Sequence, residues 1–300
     1  MGLLDGRVVI VTGAGRGLGR EHALTLAREG AIVVVNDLGV SLRGDPENAE
    51  RSPADRVVDE IEAMGAIAVA SGASVSDWDA MQALVADTVE KFGNLHAVVN
   101  NAGFLRDRMI TSMTEDDFDS VINVHLKGTF TLVRHACTFW REQHKAGKPV
   151  SGRIVNTTSG AGLWGNVGQA NYAPAKAAIA SLTLVTAMEA ERYEVTSNCV
   201  SPIAATRMLD SIGRSARAEP GWDRFDPANM SPVVAWLCSE ESGWLTGQVL
   251  RVVGNTVMRV AGYSIDTELR SASGEALTVD ELRVGMRKLF KTYPTGIPAT

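Results

Sequence analysis

The sequence predicts an α/β fold: a doubly wound parallel sheet of seven strands with helices on both faces, in a single domain with a C-terminal helical tail. Three observations lead to this prediction. Short apolar runs rich in Val and Ile alternate with longer amphipathic segments, which is typical of strands buried on both faces and crossed by helices. A glycine-rich turn joins the first run to the first amphipathic segment. No run is long enough to cross a bilayer, so the apolar residues are expected to form a core.

The strands and helices follow in order along the chain. The predicted strands are residues 7–12, 31–36, 67–70, 97–100, 153–157, 196–200 and 249–253. Helical periodicity is clearest in residues 18–29, 54–64, 77–92, 115–143, 171–193 and 232–239. Because crossovers between parallel strands are right-handed, the carboxyl ends of the strands should share one edge of the sheet.

Three segments break this alternation. Residues 38–53 are rich in Gly, Ser, Asp and Pro and are predicted as a polar loop after the second strand. Residues 206–230 are predicted as a mobile flap or a short helical lid after the sixth strand. The third segment begins near Tyr263, and Thr278 and Glu281 form a capping box at the start of a helix within it. We therefore expect one domain over residues 1–262 and an extension over residues 263–300 docked on it.

Composition and charge exclude several classes of function. The balance of 45% hydrophobic and 21% charged residues is that of a globular protein, and a formal net charge of -6 argues against a nucleic-acid or anionic membrane surface. Cys137, Cys199 and Cys238 lie far apart without metal-ligand spacing, so we expect buried thiols in a reducing compartment and no metal site. The first residues lack a secretion signal and the last two, Ala-Thr, are not a Ser-Lys-Leu-type address, so the predicted location is cytoplasmic.

The spacing of Ser159, Tyr172 and Lys176 predicts a proton-transfer site. A helix that begins near Asn171 places Tyr172 and Lys176 on one face, because residues four apart are neighbours on a helical surface. A tyrosine base near neutral pH requires roughly 4 kcal/mol of preferential stabilisation of its phenolate, and a nearby cation supplies part of it. Ser159 adds a hydroxyl that holds an oxygen on the reacting carbon. The three residues suit an alcohol or carbonyl substrate; the alternative is a helix that merely carries a tyrosine and a lysine.

The turn after the first strand predicts a dinucleotide site of the Rossmann type. Its glycines have the spacing G-x-x-x-G-x-G, through Gly13, Gly17 and Gly19, with Leu18 where the common fingerprint has glycine. Glycines let the backbone approach a pyrophosphate, and the N–H groups at the start of a helix point at its negative charge. An ordinary strand-to-helix turn is the alternative.

The residue after the second strand predicts which dinucleotide binds. Asp37 stands where a carboxylate accepts hydrogen bonds from the adenosine ribose hydroxyls and repels a 2′-phosphate, which favours NAD over NADP. Arg16, within the glycine turn, is the opposing signal because a guanidinium there can pair with a 2′-phosphate. We give Asp37 more weight, since its place beside the ribose makes charge repulsion hard to avoid.

Over residues 4–262 the chain resembles the short-chain dehydrogenase/reductase family. The glycine turn, the run Asn100-Asn101-Ala102-Gly103 and the order of Ser159, Tyr172 and Lys176 match its motifs. The resemblance implies NAD(P)-linked interconversion of alcohols and ketones, with Tyr172 as general base or acid. It also implies the cofactor contacts Gly13, Arg16, Gly17, Leu18, Gly19, Asp37, Ser74, Val75, Asn101, Ala102, Gly103, Tyr172, Lys176, Pro202, Ile203 and Thr206.

Two positions depart from the family pattern. His125 stands where the family usually has an asparagine that contributes to a water-linked proton relay, so we add it to the candidate catalytic residues, with simple packing as the alternative. Ile203 follows Pro202 where the family usually has glycine, which bears on the nicotinamide contact. Trp164, between Ser159 and Tyr172, is expected either to line a substrate pocket or only to pack.

A narrower resemblance is to the (3R)-hydroxyacyl-CoA dehydrogenase domains of peroxisomal multifunctional enzymes of type 2, whose relatives include hydroxysteroid dehydrogenases. It rests on the runs Asn36-Asp37-Leu38-Gly39, Phe104-Leu105-Arg106-Asp107-Arg108, His125-Leu126-Lys127-Gly128, Gly165-Asn166-Val167-Gly168-Gln169-Ala170-Asn171-Tyr172 and Trp236-Leu237-Cys238. The likeness implies NAD as cofactor, lipid metabolism, and an apolar alcohol or ketone as substrate, either a CoA thioester or a steroid. Family likeness also implies a homodimer or homotetramer formed through the two long helices.

Two other functions stay open at this stage. An NADP-linked 3-oxoacyl reductase requires Arg16 to outweigh Asp37. A non-catalytic NAD-binding scaffold subunit requires that Ser159, Tyr172 and Lys176 are retained without use, which their complete set argues against.

Overall fold

The computed structural model describes residues 2–41, 44, 51–204, 222–263, 265 and 267–289. The chain divides into two compact units, Met1–Val260 and Ala261–Thr300. The larger unit contains the sheet and all described candidate site residues. Docking of the tail from residue 263 stays a prediction. Within the described residues, no helix is long and apolar enough to span a membrane.

One mixed sheet organises the larger unit, with the order β3-β2-β1-β4-β5-β6-β7-β8. Its strands are β1 (Val8–Thr12), β2 (Ile32–Asn36), β3 (Ala68–Ser71), β4 (Ala97–Asn100), β5 (Gly152–Thr157), β6 (Val195–Ile203), β7 (Val249–Val253) and β8 (Thr256–Val260). Strands β1 to β7 pair in parallel. The doubly wound parallel sheet and its seven predicted strands are confirmed.

The eighth strand, β8, corrects the predicted number of strands. It pairs antiparallel with β7 through the turn at Gly254 and Asn255. The sequence analysis missed it because most of its side chains are exposed, so it lacks the apolar run of a buried strand. The Gly-Asn pair between two Val-containing segments was the signal of a hairpin.

Helices cover both faces of the sheet. In the described residues they are α1 (Gly17–Arg28), α2 (Pro53–Ala63), α3 (Trp78–Phe92), α4 (Glu115–Ile122), α5 (Gly128–Lys145), α6 (Gly160–Trp164), α7 (Tyr172–Ala190), α8 (Ser231–Leu237) and α9 (Val279–Leu289). The single helix predicted over residues 115–143 is divided by a π-helical segment, Asn123–Lys127, which joins α4 to α5. Hydrophobic periodicity did not reveal this segment because it inserts only a local change of pitch.

Alternate residues of the strands pack into two separate hydrophobic clusters, one on each face of the sheet. Val9 and Val11 of β1 pack with residues of α1, α2 and α8 on one face. Ile10, between them, packs on the other face with residues of α3 and α5, including Trp140. The strands are apolar on both faces because helices cover both faces. β1 lies between β2 and β4, so the chain order reverses beside β1, where the carboxyl ends of the strands leave a crevice for a ligand.

Two predicted irregular segments lie partly outside the described residues. These are residues 42–43 and 45–50 of the polar loop and residues 206–221 of the flap. The end of the flap is described, and Pro227–Met230 forms a single turn of 3-10 helix before α8. The three cysteines form no disulfide: Cys199 and Cys238 are buried and Cys137 is half-buried.

Candidate active site

The glycine turn places the start of α1 at the carboxyl edge of the sheet. Gly13 has φ +62°, and a Cβ there would lie 2.7 Å from the Cα of Ala102. A Cβ on Gly19 would lie 2.1 Å from the carbonyl oxygen of Gly13. Both positions therefore require glycine. No side chain of the described residues caps α1, and its first turn has no acidic residue, so its N–H groups suit a pyrophosphate.

Asn101 and Thr12 fix this turn to β4. The Asn101 side-chain amide donates to the carbonyl oxygens of Thr12 and Gly13, each at 3.1 Å. The Thr12 hydroxyl accepts from the backbone N–H groups of Asn101 and Ala102, each at 3.1 Å. The two strand ends are thus held at a fixed spacing, and Gly103 follows directly.

Asp37 lies at the end of β2 against the glycine turn. One carboxylate oxygen accepts from the Gly15 N–H and the other from the Gly39 N–H, both at 2.8 Å. This places a negative charge beside the turn, where an adenosine ribose would lie. Arg16 donates from Nη1 to the carbonyl oxygen of Val40 at 3.3 Å, so both opposing groups lie on the same side of the turn.

The remaining predicted cofactor contacts lie along the same edge where they are described. Ser74 and Val75 follow β3, and the Ser74 hydroxyl contacts the Ser76 hydroxyl at 3.0 Å. Pro202 and Ile203 are the last two residues of β6, and both are half-buried. Thr206 lies outside the described residues. The uncapped helix start, the two glycines without room for Cβ atoms and Asp37 together fit a dinucleotide.

Tyr172, Ser159 and Lys176 meet at the start of α7. Tyr172 is the first residue of α7, and the side chain of Asn171 accepts its N–H at 2.7 Å. Lys176 lies one turn later with Nζ 5.7 Å from the centroid of the Tyr172 ring, and this ammonium donates to the carbonyl oxygen of Thr157 at 2.7 Å. Ser159 is the N-cap of α6, two residues after the end of β5, and its side chain is near enough to the phenol to lower the pKa of Tyr172.

Burial sets the protonation of this cluster. It raises the pKa of Tyr172 to about 12; the hydrogen bond with Ser159 opposes this shift and the charge of Asp107 adds to it. Burial also lowers the pKa of Lys176 to about 8, so its ammonium is still mostly charged at neutral pH. The described protein groups alone therefore keep Tyr172 a neutral phenol. A base at neutral pH needs further positive charge beside it.

His125 lies in the π-helical segment, and its ring packs against the ring of Tyr172. Its Nε2 lies 2.8 Å from the carbonyl oxygen of Phe104, while its Nδ1 is buried without a hydrogen-bond partner among the described residues. Burial lowers the pKa of His125 to about 3, and the charge of Lys176 acts in the same direction. The imidazole is therefore neutral. A Cβ on Gly103 would lie 2.0 Å from its Cε1, so this close packing requires glycine there.

Comparison with known proteins decides the family. Residues 7–216 match the family model described as short chain dehydrogenase. The chain belongs to the short-chain dehydrogenase family. Members of this family are oxidoreductases that bind a nicotinamide cofactor, NAD or NADP. The fold expected from the family resemblance is confirmed.

Named relatives in this family show what the chain is similar to. It is 42% identical over 295 residues to the hydroxyacyl-CoA dehydrogenase ChsB1 of Mycobacterium tuberculosis, covering 96% of this chain and 89% of that protein. It is 41% identical over 236 residues to mouse peroxisomal multifunctional enzyme type 2, covering 79% of this chain but only 30% of that protein. A crystal structure of a short chain dehydrogenase from Mycobacterium avium has 50% identity, a TM-score of 0.86 and 96% coverage of both chains. The narrower resemblance is thereby confirmed as homology.

The short-chain dehydrogenase motifs did not reveal every residue of the site. The Thr157 carbonyl holds the ammonium of Lys176, and Asn171 fixes the start of α7 by donating to the carbonyl oxygens of Arg106 and Asp117. Arg251 of β7 approaches the Ser159 turn from a distant part of the sequence. The only available signal for it was a charge within an otherwise apolar strand. Among the described residues, no group of three or more His, Cys, Asp or Glu side chains is placed to hold a metal.

Proposed function

We propose that this short-chain dehydrogenase oxidises the secondary alcohol of a 3-hydroxyacyl-CoA with NAD. One observation carries the proposal: the buried Tyr172, whose ring centroid is 5.7 Å from the Lys176 ammonium and whose pKa the Ser159 side chain lowers, lies at the same sheet edge as the uncapped start of α1. A proton acceptor and a dinucleotide site at one edge are the two requirements of hydride transfer from an alcohol.

The chain's own residues handle the proton and the orientation. Ser159 holds the alcohol oxygen next to the phenol, and Tyr172 takes the hydroxyl proton. The buried Lys176 supplies positive charge beside Tyr172 that does not depend on solvent. NAD, when bound, accepts the hydride and brings the positive charge of its oxidised ring. In the reverse direction Tyr172 returns the proton to the oxygen of the ketone.

The phenol's high pKa explains why two cations are required. With protein groups alone, the pKa of Tyr172 is about 12, which is several pH units above neutral, so loss of its proton near pH 7 is unfavourable. Each unit costs about 1.4 kcal/mol. The cluster therefore becomes basic only when the oxidised cofactor is present, which couples proton removal to a site ready to take the hydride.

Apolar side chains beside the site support an acyl substrate. A cavity of about 330 Å³ is lined by Ile110, Met113, Thr114, Glu115, Phe118 and Ala170. Ala170 lies two residues before Tyr172, and the segment that carries it is bridged to the loop after β4 at Arg108 and Gln169. The apolar part of this lining, which includes a residue two positions before the base, suits a hydrocarbon chain. The similarity to ChsB1, a hydroxyacyl-CoA dehydrogenase, supports the same substrate class.

The experiment is a panel of alcohols with the purified protein. We expect NAD to be reduced with (3R)-3-hydroxyacyl-CoA thioesters at a higher kcat/KM than with hydroxysteroids or terpenoid alcohols. Faster turnover of hydroxysteroids would contradict the proposed substrate and indicate a hydroxysteroid dehydrogenase. Tight NADH binding without turnover of any alcohol would contradict the proposed dehydrogenase and favour a scaffold subunit.

An NADP-linked 3-oxoacyl reductase is the second candidate. It is favoured by the Arg16 guanidinium, which lies 3.3 Å from the Val40 carbonyl oxygen in the loop after β2. A 2′-phosphate there would meet the carboxylate of Asp37 as well. We prefer NAD for that reason.

We also expect self-association and a cytoplasmic location. Leu184, Val185 and Met188 of α7 are exposed, as is Phe130 of α5, and exposed apolar side chains on adjacent long helices suit an interface between copies. Light scattering of the intact protein and of Met188→Lys tests the association. A wild-type monomer, or an oligomer that Met188→Lys leaves intact, would contradict this interface.

A further inference from the structure

β7 carries one charged residue among apolar ones. Its sequence is Val249-Leu250-Arg251-Val252-Val253. Leu250 packs on the face covered by α1 and α8, and Val252 packs with Ala204 and Met230. Because side chains alternate along a strand, Arg251 lies on the other face. Gly247 shares that parity and lies against Leu184 of α7.

The guanidinium of Arg251 lies between an aromatic ring and the turn that carries Ser159. Its carbon is 4.5 Å from the centroid of the Trp164 ring. Its Nη1 lies so close to Gly160 that a Cβ there would be 2.8 Å away. Trp164 is 44% exposed, so its ring is not simply filling the core. Gly160 directly follows Ser159, which ties this guanidinium to the reacting site.

The guanidinium lacks an acceptor in the part of the chain that the structure describes. Nη1 is buried and has no hydrogen-bond partner there. Burial lowers the pKa of Arg251, and no carboxylate contributes to offset that shift. Arg251 as a whole is half-buried, but a buried nitrogen of a charged group opposes folding when it has no acceptor. Such a group in a native protein calls for a functional reason.

The chemistry of the guanidinium limits what binds it. Its planar donors match the oxygen of a carbonyl or a carboxylate. Because Ser159 holds the reacting oxygen, an acceptor at Arg251 would belong to the same small molecule and lie close to its reacting carbon. A 3-hydroxyacyl group has such an oxygen on the carbon two bonds away. A plain secondary alcohol has none.

We propose that Arg251 binds the acyl oxygen of the substrate and so selects 3-hydroxyacyl compounds over plain secondary alcohols. The inference rests on the proposed function and deepens it. The oxygen comes either from a thioester carbonyl or from the carboxylate of a free 3-hydroxy acid. Trp164 and Gly160 are positioning residues for the guanidinium: one stacks on it and the other leaves it room.

The test measures ketone binding to the protein saturated with NAD, in which no hydride is available and turnover does not occur. Calorimetry with acetoacetyl-CoA, acetoacetate and 2-pentanone compares a thioester carbonyl, a carboxylate and no acyl oxygen. The variants are Arg251→Met and Arg251→Lys. Arg259→Met is the matched control, because Arg259 is an exposed arginine of β8 whose register partner is Leu250.

We expect Arg251→Met to weaken binding of the preferred acyl ketone about 10- to 100-fold, as loss of a charge-assisted hydrogen bond predicts. Arg251→Lys should fall between wild type and Arg251→Met. Binding of 2-pentanone should be unchanged, and Arg259→Met should match wild type throughout. The melting temperature of Arg251→Met should fall only slightly, because the variant loses the contact with the Trp164 ring but no hydrogen bond to a described residue.

Several results would overturn the inference. The first is that Arg251→Met and wild type bind the acyl ketones equally tightly. The second is that Arg251→Met loses affinity for all three ketones equally and has a clearly lower melting temperature. The third is that the wild type binds neither acyl ketone more tightly than 2-pentanone. Turnover assays keep this outcome separate from the proposed function. If the wild type oxidises alcohols but Arg251→Met binds ketones as the wild type does, only the inference about Arg251 is wrong. If the wild type shows no turnover, the dehydrogenase proposal is wrong, and the binding titration still tests the role of Arg251.

Discussion

The imidazole of His125 and the phenol of Tyr172 lie edge to face, with ring centroids 5.1 Å apart and planes at 88°. The imidazole is fixed on one side by the Phe104 carbonyl, and its Nδ1 has no described partner. A neutral ring held this way has one nitrogen free to bind a proton-carrying water. The π-helical segment that presents His125 is of a kind often found at functional sites.

Substitution of His125 separates a relay role from simple packing. We expect His125→Asn to keep most of the turnover, because an amide also hydrogen-bonds to the Phe104 carbonyl and to water. His125→Leu should lower kcat by about 10-fold or more, within the usual range for proton transfer, while cofactor binding is unchanged. Single-turnover kinetics of both variants measure this. Equal rates for the two variants and wild type would mean that His125 only packs.

Lys176 should cost stability at neutral pH. Burial lowers its pKa from 10.5 to about 8, so between these values the unfolded chain binds more protons than the native one and stability rises with pH. Lys176→Met removes this effect. The variant's unfolding free energy, relative to wild type, should be higher at pH 7 than at pH 10 by about 3 kcal/mol at most. Chemical denaturation at several pH values measures it, and a difference that is constant from pH 7 to pH 10 would contradict the account.

Gly19→Ala should disrupt the phosphate turn. The added Cβ would lie 2.1 Å from the Gly13 carbonyl oxygen, which is backbone and cannot move without opening the turn. We expect a loss of about 1–3 kcal/mol in stability and a larger loss of NADH affinity. Gly72→Ala is the control, since nothing lies within 4 Å of its added Cβ. Thermal unfolding measures the loss of stability, and NADH fluorescence titration measures the loss of affinity. Unchanged NADH binding in Gly19→Ala would contradict the assigned site.

Asp37→Asn should shift the cofactor preference. The amide oxygen retains one of the two acceptor contacts with Gly15 and Gly39, but the charge that repels a 2′-phosphate is gone. We expect the ratio of NADPH to NADH affinity to rise about 10-fold, or roughly 1.4 kcal/mol. Arg16→Ala should lower NADPH affinity more than NADH affinity. If wild type already prefers NADPH, the hypothesis of an NADP-linked 3-oxoacyl reductase replaces that of an NAD-linked dehydrogenase.

The sheet was predictable because its strands are buried on both faces. Runs such as residues 8–11 and 32–35 are apolar without interruption, and the glycine turn marks where the first strand ends. β8 was missed because it is an exposed edge strand in which Thr256 and Arg259 interrupt the apolar residues. The π-helical segment around His125 escaped because it changes pitch without changing which residues are apolar.

The site was predictable only where its residues are close in sequence. Tyr172 and Lys176 share one helix face, so their spacing was enough. The contacts of Asn101 with Thr12 and Gly13, and of Arg251 with the Ser159 turn, join residues about ninety positions apart. Such contacts depend on strand order. The raised pKa of Tyr172 was also hidden, since it arises from burial that spacing does not report.

Turnover by Tyr172→Phe tests the central claim, that this phenol transfers the substrate proton. The substitution removes one hydroxyl and keeps the buried ring, so NADH should bind as in wild type while kcat falls at least about 100-fold. Tyr193→Phe is the control, because Tyr193 ends the 3-10 turn Glu191–Tyr193, which follows the opposite end of α7 from Tyr172. We predict normal NADH affinity with lost oxidation of the best 3-hydroxyacyl-CoA. Near-normal turnover by Tyr172→Phe would contradict the account.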